Sequence, residues 1–121
     1  AQTRPAQRAA MKDPRLIRLA QIARLVEEAG TASLRRAVAA REAVRAQIDA
    51  LDATRAKSAP QNAAEARIAY AYETWASRRR AALNLDLARH EAECLSLLDA
   101  ARQAFGRARV IDALIARQKP R

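Results

Sequence analysis

Between Asn62 and Gln118 an apolar residue recurs every three or four positions, and no proline interrupts the segment. This spacing keeps one narrow apolar stripe on one side of a helix, as in a coiled coil. A helix of this length must lie along another long helix, because a chain of 121 residues is too small to enclose it. The seam predicted for this second helix consists of Ile68, Tyr72, Trp75, Arg79, Leu83, Leu87, His90, Cys94, Leu97, Ala101, Ala104, Ala108, Ile111 and Ile115.

A first helix is predicted from Pro14 to about Lys57, with Asp13 as its N-cap and Pro14 at the first helical position. Two successive steps of four around Gly30 form a stutter in its seam, and a break there would give three helices. We expect one continuous helix, because the seam resumes on a compatible face. The predicted seam positions are Leu16, Leu19, Ala23, Val26, Gly30, Leu34, Ala37, Arg41, Val44, Ile48, Leu51 and Arg55.

The segment 58–61 separates the two helices, because Pro60 inside a helix would cost a backbone hydrogen bond. Asn62 and Glu65 then form a capping-box pattern that starts the second helix, predicted over about 62–118. A connection this short makes consecutive helices antiparallel. The sequence therefore predicts an all-α fold, a long antiparallel two-helix coiled-coil hairpin.

The short turn also predicts a register, with Val44 opposite Trp75 and Leu34 opposite Leu87. Residues from about 106 to 118 would then extend beyond the first helix and expose apolar side chains. An apolar surplus of this kind usually marks a partner site, although self-association or a folded-back N-terminal arm would also cover it. The residues predicted for this terminal site are Arg15, Ile17, Arg18, Ile22, Leu25, Arg107, Arg109, Val110, Leu114 and Arg117.

The net charge of +10 is concentrated near the two ends of the chain. Residues 1–18 sum to +4 and residues 102–121 to +5, whereas the long middle segment sums to +1. An antiparallel hairpin brings both basic segments to the same end. A basic pole attracts an acidic protein surface, nucleic acid or anionic lipid. We interpret residues 1–13 as a flexible basic arm and residues 119–121 as a tail.

Sequence patterns typical of catalysis are missing. We find no glycine-rich phosphate loop, no metal-ligand spacing and no nucleophile arrangement, and we expect no enzyme, cofactor or metal site. His90 and Cys94 occupy seam positions, where packing is the expected role. Tyr70 and Trp75, close to the turn, form a second and weaker candidate contact patch at the hairpin tip.

The apolar runs of the chain are short. The longest falls well below the ~20 residues that a bilayer span needs. The N-terminal segment has no apolar signal core. We therefore expect a cytoplasmic protein.

A short basic hairpin with both termini at one end and a longer C-terminal helix resembles the FliJ-type stalk proteins of the bacterial flagellar export apparatus, and the related stalk proteins of type III secretion. The residues that carry the resemblance are Trp75 with the arginines 78–80 and the closing segment 102–117. The resemblance implies a non-enzymatic stalk, cytoplasmic or peripheral at the inner-membrane export apparatus. Its terminal end would insert into the hexameric export ATPase and couple it to the export gate protein and export chaperones.

The sequence is also compatible with two other functions. A basic coiled coil that associates with nucleic acid would show affinity that falls steeply with salt. A homo-oligomeric structural coiled coil would form a defined oligomer at low concentration, with its apolar surplus buried.

Overall fold

The computed structural model describes residues 13–55 and 59–118, which form two α-helices. Helix α1 spans Pro14–Arg55 and helix α2 spans Ala63–Arg117. The helices pack against each other, which confirms the predicted all-α helical hairpin. The predicted arm before Asp13 and the tail after Gln118 lie outside the described residues. None of the described helices is long and apolar enough to cross a membrane.

Both helices begin at the predicted caps. The Asp13 carboxylate accepts a hydrogen bond from the Arg15 backbone N–H at 2.9 Å. The Asn62 side-chain oxygen accepts one from the Glu65 N–H at 2.8 Å, and Glu65 in turn accepts from the Gln61 N–H at 2.8 Å. These bonds satisfy backbone donors that a helix start leaves without partners. Helix α1 is also continuous through Gly30, as expected.

The chain divides into two compact units, each built from a segment of both helices. We call residues 13–35 with 96–118 the terminal unit, and residues 36–55 with 59–95 the tip unit. The core of the tip unit contains a cluster that includes the fully buried Ala76 and the 2% exposed Leu83. The other members are Val44, Ile48 and Leu51, with Leu87 packed against them.

Small residues line the core of the terminal unit. Ala20, Ala104 and Ala108 are its most buried side chains. A Cβ added to Gly30 would lie 3.8 Å from the Cα of Ala101, so the two backbones approach closely at this point. Alanine and glycine allow a short distance between helix axes, because the separation of packed helices depends on the size of the side chains at the contact.

The seam of α1 differs from the prediction in its N-terminal half. Ala20 is buried and Glu27 half-buried, whereas Leu19 and Val26, which the prediction placed in the seam, are about half exposed. With these two changes the α1 seam alternates steps of four and three throughout. The stutter predicted at Gly30 is therefore wrong. It arose because the prediction placed Leu19 and Val26 in the seam instead of Ala20 and Glu27.

The predicted seam is also wrong at the start of α2, where it lies one residue away from the observed seam. Trp75 is 55% exposed and Arg79 is also exposed, while Ala76 and Arg80 occupy the seam positions instead. From Leu83 to Ile115 the predicted seam is confirmed, because every predicted position is buried or half-buried. Cys94 and His90 are among these packed residues, in agreement with the prediction for both.

The predicted register is wrong by roughly three helical turns. The prediction placed Leu34 opposite Leu87, and so Gly30 opposite a residue near position 90, but the backbone of Gly30 approaches Ala101. The end of α2 therefore does not extend beyond α1 as predicted. Instead the Asp13 backbone N–H donates to Gln118 Oε1 at 3.0 Å, which brings the ends of the two helices together in the terminal unit.

Candidate partner-binding faces

Ion pairs between the helices define one flank of the terminal unit. Arg24 lies 3.8 Å from Asp112, and Arg109 lies 3.3 Å from Glu27. The Arg109 guanidinium also sits over the Phe105 ring, 4.8 Å from its centre. We call this side the ion-pair flank. These ion pairs show which side of α1 and which side of α2 lie on the same face of the terminal unit.

The opposite flank of the terminal unit is apolar. On α1 the side chains of Leu19, Ile22 and Val26 lie roughly 150° around the helix from Arg24. On α2 the side chains of Val110 and Leu114 lie roughly 160° from Asp112. Because Arg24 and Asp112 share one side, these five residues share the other, which we call the apolar flank. Each of the five is more than 40% exposed, and Val110 reaches 60%.

Arginines border the apolar flank. Arg15 and Arg18 follow its stripe toward the start of α1, and Arg107 lies one turn from Val110 on α2. Long arginine stems can extend an apolar surface while their charged heads remain in water. Of the described acidic residues of the terminal unit, Asp13, Glu27, Glu28 and Asp112 lie elsewhere on it, and Asp99 lies on the same side of α2 as Val110 but three turns before it.

The structure separates the residues that were predicted as one terminal site. Arg15, Arg18, Ile22, Leu25, Arg107, Val110 and Leu114 lie on or beside the apolar flank. Ile17 and Arg109 lie on the ion-pair flank, and Arg117, two turns after Val110, lies beside the apolar flank. Part of the predicted basic pole lies outside the described residues. This part consists of Arg4, Arg8, Lys12, Lys119 and Arg121. A binding role for any of these residues stays a prediction.

Sequence reasoning missed Leu19 and Val26 as surface residues. It assigned both to the seam because Leu19 is more hydrophobic than Ala20, and Val26 more hydrophobic than Glu27. An unbroken alternation of steps four and three through Ala20 and Glu27 was the signal that could have identified them.

The tip unit carries an exposed aromatic surface. Tyr70 is 77% exposed and Trp75 is 55% exposed, and the rings of Tyr72 and Trp75 lie 5.7 Å apart at a tilt of 36°. Tyr72 and Trp75 form one wall of an open groove of about 400 Å³, while Tyr70 points away from it. We call this the tip groove. It is lined by Gln47, Ala50, Leu51, Thr54, Tyr72, Trp75, Arg79 and Leu83.

The other flank of the tip unit holds its own ion pairs. Arg80 donates two hydrogen bonds to the Asp52 carboxylate, at 2.9 and 3.0 Å. Arg55 pairs with Glu73, and Arg45 with Glu91. The hydrogen bond from Arg80 holds the pKa of Asp52 below its ordinary value, and Arg55 lowers the pKa of Glu73 in the same way. These bonds connect α1 to α2 at a fixed register.

These pairs predict a loss of stability in acid. A carboxyl group whose pKa is lowered by folding stabilises the fold above its unfolded-state pKa, and this contribution disappears as the pH falls through the folded-state pKa. We therefore expect the free energy of unfolding to fall below about pH 4. Urea unfolding followed by circular dichroism between pH 6 and pH 2 measures it. The double variant Asp52→Asn, Glu73→Gln should show a smaller acid-dependent loss, and an unchanged profile would contradict the assignment.

Comparison with protein-family models, with curated proteins and with solved structures gives no match for this chain. The candidate faces therefore rest on geometry, exposure and charge.

Proposed function

We propose that this protein is a non-enzymatic helical-hairpin adaptor whose terminal unit binds an acidic protein surface. The observation that carries the proposal is the apolar flank. Its five exposed apolar side chains lie side by side across two helices, and the charged residues at its border are arginines. An exposed apolar surface with a polar rim is typical of a protein interaction site.

The composition of the flank favours a protein over nucleic acid as the partner. Nucleic-acid surfaces place basic side chains across the contact and interleave aromatic ones for stacking. Here the centre of the surface is aliphatic, with Ile22 and Val110 well exposed, and its arginines lie at the edge. Aliphatic side chains gain from burial against another apolar surface, and the arginine border selects a partner with carboxylates around that surface.

Within this class, we propose the stalk of a flagellar-type protein export apparatus. The support is the resemblance to FliJ-type proteins, together with two features of the structure that agree with such a stalk. The ends of the helices meet in the terminal unit, where Asp13 bonds to Gln118. Helix α2 is also the longer helix, with 55 residues against 42 in α1. The partner of the apolar flank would then be the hexameric export ATPase, and the export gate protein and chaperones would be further partners.

Two matched isoleucine variants test the proposal. Ile22 lies on the apolar flank and Ile17 on the ion-pair flank of the same helix, and both are exposed. We expect Ile22→Asp to raise about tenfold the concentration needed for half-maximal stimulation of the export ATPase, because it places a carboxylate in an apolar contact facing an acidic partner. Ile17→Asp should leave the stimulation close to that of the unmodified chain. ATP hydrolysis and ring assembly, measured over a titration of each variant, give the comparison.

Three results would contradict parts of this proposal. Equal effects of the two variants would contradict the assignment of the apolar flank. Absence of any stimulation by the intact chain would contradict the export-apparatus function. DNA binding at low salt that is lost at high salt, with no effect on the ATPase, would favour the nucleic-acid alternative instead.

A further inference from the structure

The start of α2 extends beyond the end of α1. Every residue from Ala59 to Trp75 is exposed. The last residue of α1, Arg55, contacts Glu73 and Ser77, so the turns of α2 before Tyr72 lie beyond the end of α1. Of the described residues, Ala59 and Pro60 of the connection line a shallow pocket with Glu65 and Ile68. Unpacked turns at the end of a helix open more easily than turns that pack against a neighbour. This extension therefore gains stability if another surface covers it.

One stripe on the extension has coiled-coil spacing. Its positions follow one another at steps of three, four, three and four, and they are Glu65, Ile68, Tyr72, Trp75 and Arg79. Ile68 is 70% exposed and Trp75 is 55% exposed. The intramolecular seam runs instead through Ala76 and Arg80, as shown above. The tip stripe, as we call these five residues, is therefore a second regular seam, which the hairpin itself uses only through the hydrogen bonds of Tyr72 with Thr54 and of Arg79 with Gln47.

The tip stripe is complementary to itself in the antiparallel direction. Tyr72 is its centre, with an acidic residue seven positions before it and a basic residue seven positions after it. If a second copy lies antiparallel about Tyr72, Glu65 faces Arg79 of the second copy. Ile68 then faces Trp75 of the second copy, and two-fold symmetry repeats both contacts. Opposite charges at facing positions fix the direction and register of paired helices.

The tip groove lies where the second copy would pack. It opens between α1 and the Tyr72–Trp75 wall of α2, and Arg79 and Leu83 continue that wall along α2. In the antiparallel arrangement the extension of each copy lies against residues 72–79 of the other. It therefore enters a groove that has apolar side chains on both sides. Each copy then supplies the neighbouring helices that the other's extension lacks.

We propose that two copies of this chain associate tip to tip, each placing the start of α2 in the tip groove of the other. The charge of the stripe supports a second copy over other partners. The stripe is balanced, with one carboxylate and one guanidinium, although the chain as a whole carries +10. The Glu65 oxygen Oε2 caps the helix through the Gln61 N–H, and Arg79 uses one nitrogen on Gln47, so each side chain retains atoms for an ion pair.

This inference is independent of the proposed function. It uses residues of the tip unit alone, whereas the adaptor proposal rests on the apolar flank of the terminal unit. The surface that one extension covers is small, so the dimer is expected to be weak, with a Kd of roughly 10–100 μM.

Sedimentation and fluorescence of the full chain give the first test. We expect the mass to rise from 13.3 kDa toward twice that value as the concentration passes through the Kd. Trp75 is the one tryptophan of the chain, and its emission should shift to shorter wavelength over the same range because its exposed ring becomes covered. A mass that stays monomeric to about 1 mM, or a dimer without a Trp75 shift, would overturn the proposal.

Charge reversal tests the two-fold geometry directly. Glu65→Arg alone sets two arginines against each other at both symmetric contacts, and Arg79→Glu alone sets two carboxylates against each other. Each variant should weaken its own dimer by about tenfold or more. An equimolar mixture of the two variants restores both opposite-charge contacts, and its affinity should return to within about threefold of the unmodified chain. Rescue by mixing also shows that the two variants are folded.

Matched controls use the same charge changes at exposed sites outside the tip stripe. Glu93→Arg and Arg89→Glu should leave dimer affinity unchanged, because both positions lie several turns from the proposed contact. A mixture of the stripe variants that stays as weak as either variant alone would overturn the proposal. A dimer insensitive to both reversals would also overturn it, because association would then run through another surface.

Discussion

Replacing Leu83 with alanine is expected to lower the free energy of unfolding by about 2 kcal/mol. Leu83 is 2% exposed and belongs to the core cluster with Ile48 and Leu51. Its removal loses the burial of a leucine side chain and leaves a cavity at the seam. We expect the lower end of the usual range for buried leucine, because Leu83 also borders the open tip groove and the site can partly relax.

Leu85→Ala provides the matched control, since Leu85 is 54% exposed two residues along the same helix. Its effect should stay within about 0.5 kcal/mol. Urea unfolding followed by circular dichroism measures both variants. Equal losses in the two variants would contradict the seam described for α2.

Replacing Ala76 with leucine should also destabilise the fold, by about 1–3 kcal/mol. Ala76 is completely buried where α2 contacts the last turns of α1. Extra methylene groups at this position would push the helices apart, because the short distance between them depends on a small side chain. Leucine and alanine both favour helix, so the loss would report packing rather than helix propensity.

Ala81→Leu is the control for this substitution, because Ala81 lies on the exposed side of α2. Its free energy of unfolding should remain within about 0.5 kcal/mol of the unmodified chain. The comparison also discriminates between the two seams. If Trp75 rather than Ala76 occupied the seam, as predicted from the pattern alone, then Ala76→Leu would be tolerated like Ala81→Leu.

Each unit has two chemically different flanks. In the terminal unit the pair Arg24–Asp112 lies opposite the apolar flank, and in the tip unit the pair Asp52–Arg80 lies opposite the tip groove. Exposed ion pairs contribute little stability individually. Their arrangement instead fixes the register, and these pairs lie away from the apolar flank and the tip groove. The apolar flank carries the proposed partner contact, and the tip groove carries the proposed association of two copies.

The sequence by itself determined the helical class and the starts of both helices. Asp13 and Asn62 are capping residues, and their bonds depend on neighbours within four positions along the chain. The seam from Leu83 to Ile115 was also predictable, because in that segment one heptad register places apolar or small residues at every position except His90.

The tertiary structure decided the register and the choice between neighbouring seams. At Leu19 and Ala20, and again at Trp75 and Ala76, two adjacent residues could each continue the heptad, and the larger one has the stronger sequence signal. Close packing of two helices selected the alanine in both cases, since only a small side chain fits between backbones that approach closely. Packing also displaced α2 along α1 by about three turns from the register that the short connection predicted. The register and these seam positions result from packing between segments that are distant in sequence. Together they leave the apolar flank and the tip stripe exposed.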